Sequence, residues 1–363
     1  MGLEHAKCIA KALQFTPYWF VAICTQLLYL SQMVSAKFNN SKVTGNQSPL
    51  ADGPPAARPI TLAHLSDPHI SCMEDITARD LVSKRLFGFL RWKLHRGAEH
   101  GSGVMSALQS DLMRTKPDHI AVTGDLTHLG LPAEFKKARQ WLQELGSPSQ
   151  VTVVPGNHDA YVKLIWHQTM AHWTDYMISD TPRNDDQKED DRENIFPSMR
   201  IRGCIAIIGV STARPSAPHL ATGSIGTRQL QNLEAILAQT ARKQLYRIVL
   251  IHHPPAPGAV RWRKRLTDAA DLRSLLAQYG AELILHGHAH RTLYNHLPAP
   301  AGNVPVMGVP SISALSRTPA RRARYYIYRI IPGSDGWDVS YEVRIYSPER
   351  NCFIRESGPR NVE

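Results

Sequence analysis

Short apolar runs rich in Val, Ile and Leu recur along this chain, and stretches of helical periodicity separate most of them. Ile60–Ser66, His119–Thr123 and Val151–Val154 read as three strands, and Cys204–Val210, Arg247–Ile251 and Ala281–Leu285 as three more. Val104, Leu108 and Leu112 share one face of a helix that Pro117-Asp118 ends. Leu131–Leu145 carries the stripe Phe135, Ala138, Trp141, Leu142 and Leu145, and Thr227–Ala241 carries Leu230, Leu233, Ile236 and Leu237. A further helix is expected over Asp268–Tyr279. Val304–Val309, Arg324–Ile331 and Trp337–Tyr346 read as closing strands, the last with the period-two alternation of one solvated face. Apolar strands interleaved with amphipathic helices predict an α/β fold.

The residues that follow the strands carry the candidate chemistry. Asp67-Pro68-His69 follows the first, Gly124-Asp125 the second and Gly156-Asn157-His158-Asp159 the third. His252-His253-Pro254 follows the fifth and His286-Gly287-His288-Ala289-His290 the sixth. Each alone is an ordinary turn, since Gly, Asn and Asp are turn formers. Five in succession, at the strand ends where open α/β sheets bind ligands, point to one site. The donors are imidazoles, carboxylates and an amide, with no thiolate. That set suits Mn, Fe or Zn, disfavours Ca and pure Mg sites, and is large enough for two ions.

In order and spacing these five blocks resemble the calcineurin-like metallophosphoesterases, over about residues 60 to 312. The resemblance implies a four-layer α-β-β-α sandwich with a two-metal site at the strand ends. It also implies roles: Asp67, His69 and His290 on one divalent or trivalent transition-metal ion, Asn157, His252 and His288 on the other, and Asp125 bridging both. His158 would contact the phosphate or protonate the leaving oxygen, and His253 would touch substrate or support a ligand. Asp159 reads as a turn-fixing residue.

Two cations about 3.5–4 Å apart can clamp a phosphoryl group and lower the pKa of a bridging water, so that hydroxide attacks in line and no protein nucleophile is needed. A metallophosphoesterase cleaving phosphodiesters is therefore expected, with a small substrate such as a cyclic nucleotide or a glycerophosphodiester. One departure stands out. Many relatives carry an Asp three residues after the bridging Asp to orient the catalytic His, and here that place is His128.

Composition sets bounds on the rest. The chain has 363 residues, 43% of them hydrophobic, enough for one large α/β domain with insertions. Lys and Arg outnumber Asp and Glu by 42 to 31, which favours anionic partners or a soluble basic surface. Cys8, Cys24, Cys72, Cys204 and Cys352 are scattered, which argues against a disulfide framework and fits a reducing, cytoplasmic compartment. Residues 1–36 include an uncharged apolar stretch behind Lys7 and Lys11, open to reading as a signal, an anchor, or sequence upstream of a start at Met33. Residues 37–58 read as a linker, 59–348 as the metallophosphoesterase domain, 180–194 as an acidic surface loop and 349–363 as a tail.

In the insertion 72–101, Arg79, Lys84, Arg85, Arg91, Lys93 and Arg96 interleave with Leu86, Phe87, Phe89, Leu90 and Trp92. It can lie on an anionic membrane, cover a lipid-bearing substrate, or pack as a cap helix with a solvated basic face. Arg261-Trp262-Arg263-Lys264-Arg265 follows a metal block closely, and is either a solvated loop or a site for a second phosphate with Trp262 stacking on a base. Hydrolysis of a nucleotide-diphospho-lipid of the UDP-diacylglucosamine type is the alternative reading. The better-known enzymes of that kind carry Arg in place of His158. A DNA nuclease would fit the charge, but no DNA-binding appendage is recognisable. A non-catalytic scaffold would have lost ligands, and none of the seven is lost.

Overall fold

The computed structural model describes residues 58–95, 102–163, 165–181, 195–333, 336–356 and 360–362. The segment 1–36, the linker apart from Arg58, residues 96–101 of the insertion and residues 182–194 of the acidic loop lie outside them.

Two mixed sheets form the centre. One has the order β12-β11-β10-β1-β2-β3, with β13 also pairing β11. In it β1 (Ile60–Leu65), β2 (His119–Val122) and β3 (Val151–Val153) are parallel, and β10 (Arg324–Gly333) and β11 (Gly336–Ser347) close the sheet antiparallel. The other has the order β4-β5-β6-β7-β9-β8. Its parallel strands are β5 (Ile205–Val210), β6 (Tyr246–Ile251), β7 (Leu283–His286) and β9 (Gly302–Gly308). At its edges, β4 (Ser198–Arg202) and β8 (Leu293–Ala299) pair antiparallel.

The parallel strands are apolar on both faces because each face has a core to fill. Within β5, Ile205 and Ile207 point to the space between the sheets, whereas Ala206, Ile208 and Val210 face helices. β6 repeats this, with Ile248 and Leu250 inward and Val249 and Ile251 outward. The inner core unites those residues with Leu62, Ala121, Tyr326, Tyr328 and Ile330 of the first sheet. Outside the first sheet lie α2 (Ser102–Thr115), through Val104, Leu108 and Leu112, and α3 (Pro132–Leu145), through Phe135, Ala138 and Leu142. Outside the second lie α4 (Thr227–Arg242) and α5 (Ala269–Tyr279), through Leu233, Leu237, Leu272 and Leu276. Three cores make four layers, as expected.

Within the insertion α1 (Arg85–His95) forms, a helix as one of its readings had it. Arg85 pins that helix to the domain, its guanidinium donating to the carbonyls of Leu129 at 3.0 Å and Gly130 at 2.6 Å. The edge strands β4 and β8 were not expected. The segment 349–363, read as a tail, supplies β12 (Cys352–Arg355) and β13 (Arg360–Asn361), both paired with β11. Phe353 is buried in the outer core, so this end of the chain completes the sheet.

Candidate metal centre

The five polar blocks converge at the carboxyl ends of β1, β2, β3, β6 and β7. The backbone there is unusual. Asp67 (φ 54°), His69 (47°), Asp125 (54°), His288 (66°) and His290 (50°) all occupy the left-handed region that side chains with a Cβ avoid. Such conformations cost about 1–3 kcal/mol each and persist only where the surroundings enforce them. Two glycines allow the approach. A Cβ on Gly156 would stand 2.2 Å from Asp125 Oδ1, and one on Gly287 would stand 2.3 Å from Asp67 Oδ2.

Seven predicted ligands meet in two groups. In the first, His69 Nε2 lies 3.0 Å from His290 Nε2, and Asp67 Oδ1 lies 3.1 Å from the latter and 3.8 Å from the former. In the second, His252 Nε2 lies 3.3 Å from Asn157 Oδ1, and His288 is within reach. Asp125 belongs to both, its Oδ2 standing 3.3 Å from His252 Nε2 and 3.9 Å from His69 Nε2. A further group, His69, His128 and His158, shares His69 with the first but brings no carboxylate.

Backbone carbonyls decide which ring nitrogen faces the centre. A carbonyl only accepts, so the nitrogen against it must carry the proton. His252 Nδ1 donates to Thr123 O at 2.6 Å, which leaves Nε2 towards Asp125 and Asn157. His288 Nε2 donates to Lys264 O at 2.9 Å, which leaves Nδ1 for the centre. His252 Nε2, Asp125 Oδ2 and Asn157 Oδ1 are then Lewis bases gathered around one point, and the buried Asp67 Oδ1 accepts no hydrogen bond among the described residues. This donor set fits cations. In the protein atoms alone, burial opposes ionisation of Asp125, yet the charges of His252 and His158 hold its carboxyl well below the usual range. Burial likewise opposes protonation of His252, but Asp125 raises it.

The residues read as neighbours take definite places. Asp159 accepts from Gly156 N (2.9 Å), Leu126 N (3.2 Å), Thr127 N (2.8 Å) and Thr127 Oγ1 (2.9 Å), fastening the Asn157 turn to the Asp125 turn. Burial, then the charge of Asp125, push that carboxyl up to about 7. His253 is buried and bonds Thr212 Oγ1 at 2.7 Å and Ala221 O at 3.2 Å, so it holds the loop 212–221 in place. Trp262 is exposed, with the Arg265 guanidinium 5.6 Å over its ring.

His158 resolves the departure noted in the sequence. Its Nδ1 donates to the backbone carbonyl of His128 at 2.5 Å, so position 128 orients the ring through its main chain. The loop that presents this carbonyl is held from two sides. Glu134 Oε2 accepts the N–H groups of His128, Leu129 and Leu131 at 3.2, 2.9 and 3.1 Å, and Arg85 holds the carbonyls of Leu129 and Gly130. Sequence reasoning missed Glu134, Arg85 and the carbonyls of Thr123, His128 and Lys264. Only the position of Glu134, three residues after Leu131 at a helix start, carried any signal.

Comparison with known proteins agrees with the fold. The family model for calcineurin-like phosphoesterases matches residues 60–292. The chain belongs to that family, a class of metal-dependent phosphoric ester hydrolases. Among curated relatives, a probable cyclic nucleotide phosphodiesterase from Synechococcus sp. is 25% identical over 51% of this chain and 63% of its own length. The glycerophosphodiester phosphodiesterase GpdQ of Enterobacter lignolyticus is 34% identical over 28% of this chain and 30% of its own. The matches thus cover less than two thirds of either relative. A solved dimetal phosphatase from Danio rerio shares the fold, with a TM-score of 0.52 and 14% identity, covering 82% of this chain and 98% of that one.

Proposed function

We propose that this protein is a two-metal phosphodiesterase acting on small phosphodiesters of the cyclic-nucleotide or glycerophosphodiester kind. The observation that carries the reading is Asp125 Oδ2, one carboxylate oxygen standing between two donor groups at 3.3 and 3.9 Å. Asp67, His69 and His290 would hold one cation, Asn157, His252 and His288 the other, and Asp125 both. Mn, Fe or Zn suits these imidazole and carboxylate donors. Such a pair supplies Lewis acidity towards phosphoryl oxygens and hydroxide at neutral pH.

The chain's own residues do the rest. Asp125 neutralises charge shared between the two positions, which a neutral bridging ligand cannot do. The amide of Asn157 adds an oxygen donor without further lowering the charge. With Nδ1 committed to the His128 carbonyl, Nε2 is the nitrogen with which His158 serves a phosphoryl or leaving-group oxygen. The names of the curated relatives support the substrate class.

The protein purified with Mn²⁺ is expected to hold about two ions per chain and to cleave bis-p-nitrophenyl phosphate. Asp125→Ala should lose both properties. A metal-free wild type, or a mutant with full activity, overturns the reading.

One observation favours the nucleotide-diphospho-lipid alternative. Val82, Leu86, Phe87 and Leu90 of the insertion expose 85%, 39%, 52% and 45% of their surface, an apolar patch next to the site on which an acyl chain could rest. Turnover of UDP-diacylglucosamine in preference to cyclic AMP would decide for it. Among the described residues no helix is long and apolar enough to cross a membrane.

A further inference from the structure

A cavity of about 490 Å³ opens beside the metal centre, and it shares Asn157 and His158 with it. Lys84 and Phe87 of the insertion, Tyr161, His219 and the basic turn Arg261, Arg263 and Lys264 supply much of the remaining wall. Among the described residues no carboxylate lines it. We propose that this cavity binds a second phosphate on the substrate, so that the preferred substrates are phosphodiesters whose organic substituent carries a further phosphate group. The proposal rests on the phosphodiesterase reading and narrows its substrate class.

The basic turn is placed deliberately by its backbone. Lys264 O accepts from His288 Nε2 at 2.9 Å, and Arg263 O accepts from Ala221 N at 2.9 Å. With the main chain fixed between a metal-site histidine and the loop at 221, the side chains are presented beside the centre. The guanidinium groups of Arg261 and Arg263 have no hydrogen-bond or ion-pair partner among the described residues, whereas others are paired, as at Arg202–Asp180 and Arg247–Glu282. Lys84 is a different case. Its ammonium donates to Ser216 O (3.2 Å), Ser216 Oγ (2.8 Å) and Leu220 O (3.0 Å), so it closes the cavity wall and leaves anion binding to the arginines.

Gathering cations without counter-charges raises their mutual repulsion, and an anionic ligand relieves it. The guanidinium fork matches a phosphate in two-point hydrogen bonding. A cyclic nucleotide or a plain glycerophosphodiester brings one negative charge, which the metal centre already takes. The same wall carries aromatic rings: Phe87 lies 5.3 Å from the His219 ring, and Tyr161 lies 5.3 Å from that of His158. These rings suit a nucleoside as the spacer.

The test uses the Mn²⁺-loaded full chain and two esters with one leaving group, thymidine 5′-(p-nitrophenyl phosphate) with and without a 3′-phosphate. The 3′-phosphorylated ester should have about tenfold higher kcat/KM, expressed mainly in KM, because charge-assisted bonds to the arginines are added. Arg261→Ala combined with Arg263→Ala should bring the ratio to about twofold or less, and the corresponding double Lys variant should retain part of it. In parallel, calorimetry compares thymidine 3′,5′-bisphosphate with thymidine 5′-phosphate, and the same preference should vanish in the double Ala variant. Equal kcat/KM for the two esters in the wild type, or a ratio that survives both Ala substitutions, overturns the proposal. Should neither ester turn over, the phosphodiesterase reading falls, and the calorimetric comparison alone decides the anion site.

Discussion

The two ends of the parallel strands treat polar residues in opposite ways. At the amino ends, donors meet acceptors. Asp118 Oδ2 accepts from Thr61 N at 2.8 Å and Thr61 Oγ1 at 2.7 Å, its Oδ1 pairs with Arg58 at 2.9 Å, and His119 Nε2 bonds Thr152 Oγ1 at 2.8 Å. At the carboxyl ends, bases face bases: two imidazole nitrogens stand 3.0 Å apart, and a carboxylate oxygen shares its space with an amide oxygen and a ring nitrogen. Left-handed backbone gathers on that side, at Asp67, His69, Asp125, His288 and His290, against Lys116 and Gln244 ahead of β2 and β6. A chain under pressure only to fold would not gather so many bases around one point. Local conflict retained at one end marks the place where a ligand completes the structure.

The most direct way to break this contrast is to push the rim apart. Gly156→Ala would put a methyl group 2.2 Å from Asp125 Oδ1 and 2.4 Å from Asp125 N, and the contact on the amide is with backbone that cannot swing aside. Displacing the shared carboxylate by about 1 Å should lower kcat about a hundredfold or more, with loss of bound metal by elemental analysis. Wild-type turnover and metal content in this variant would mean that the close approach of the two turns does not set the position of Asp125.

Much of the rim was legible in the chain because each polar block follows an apolar run, and the runs are apolar on both faces as buried parallel strands must be. The edge strands were not legible for the same reason reversed. Ser198–Arg202 alternates polar and apolar residues over too short a span, and Leu293–Ala299 contains Pro298, a residue that edge positions tolerate. What orients the ligands was hidden more deeply. Thr123, His128 and Lys264 act through carbonyl oxygens, which every residue possesses, so no letter in the sequence announces them. His128 illustrates the limit well: as a side chain it looked like a lost Asp, whereas its main chain performs the orienting.

That dependence on a carbonyl predicts a role for a residue outside the rim. Arg85 is 11% exposed in its side chain and ties Leu129 O and Gly130 O to the start of α1. Arg85→Ala should loosen the loop that presents the His128 carbonyl and lower kcat about tenfold with a much smaller change in KM. Stability should fall by about 1–3 kcal/mol, as for lost hydrogen bonds to a charged donor. If the melting temperature drops but kcat at 25 °C does not, Arg85 only fastens the helix. The rim would then be self-sufficient, and the contrast between the two ends sharper.

The smallest effect belongs to the amino end. Burial, aided by the charges of Arg202 and Arg200, lowers the His119 imidazole from 6.5 to about 3. The native state therefore binds fewer protons at this residue than the unfolded chain does between those two values, and stability falls as pH drops through that window. Above 6.5 both states are neutral here and nothing is lost. Between pH 7 and pH 5 the loss from His119 is about 2 kcal/mol, taking 1.36 kcal/mol per pH unit below 6.5. His119→Gln keeps a donor for Thr152 and removes the titration, so the urea midpoint of the metal-free protein should lose part of its slope over this range. Turnover at pH 7.5 should be unaffected, because His119 opens the strand at whose far end Asp125 sits. A variant with the full wild-type slope would mean that His119 is protonated in the folded protein, and that the amino end holds an unrelieved charge of its own.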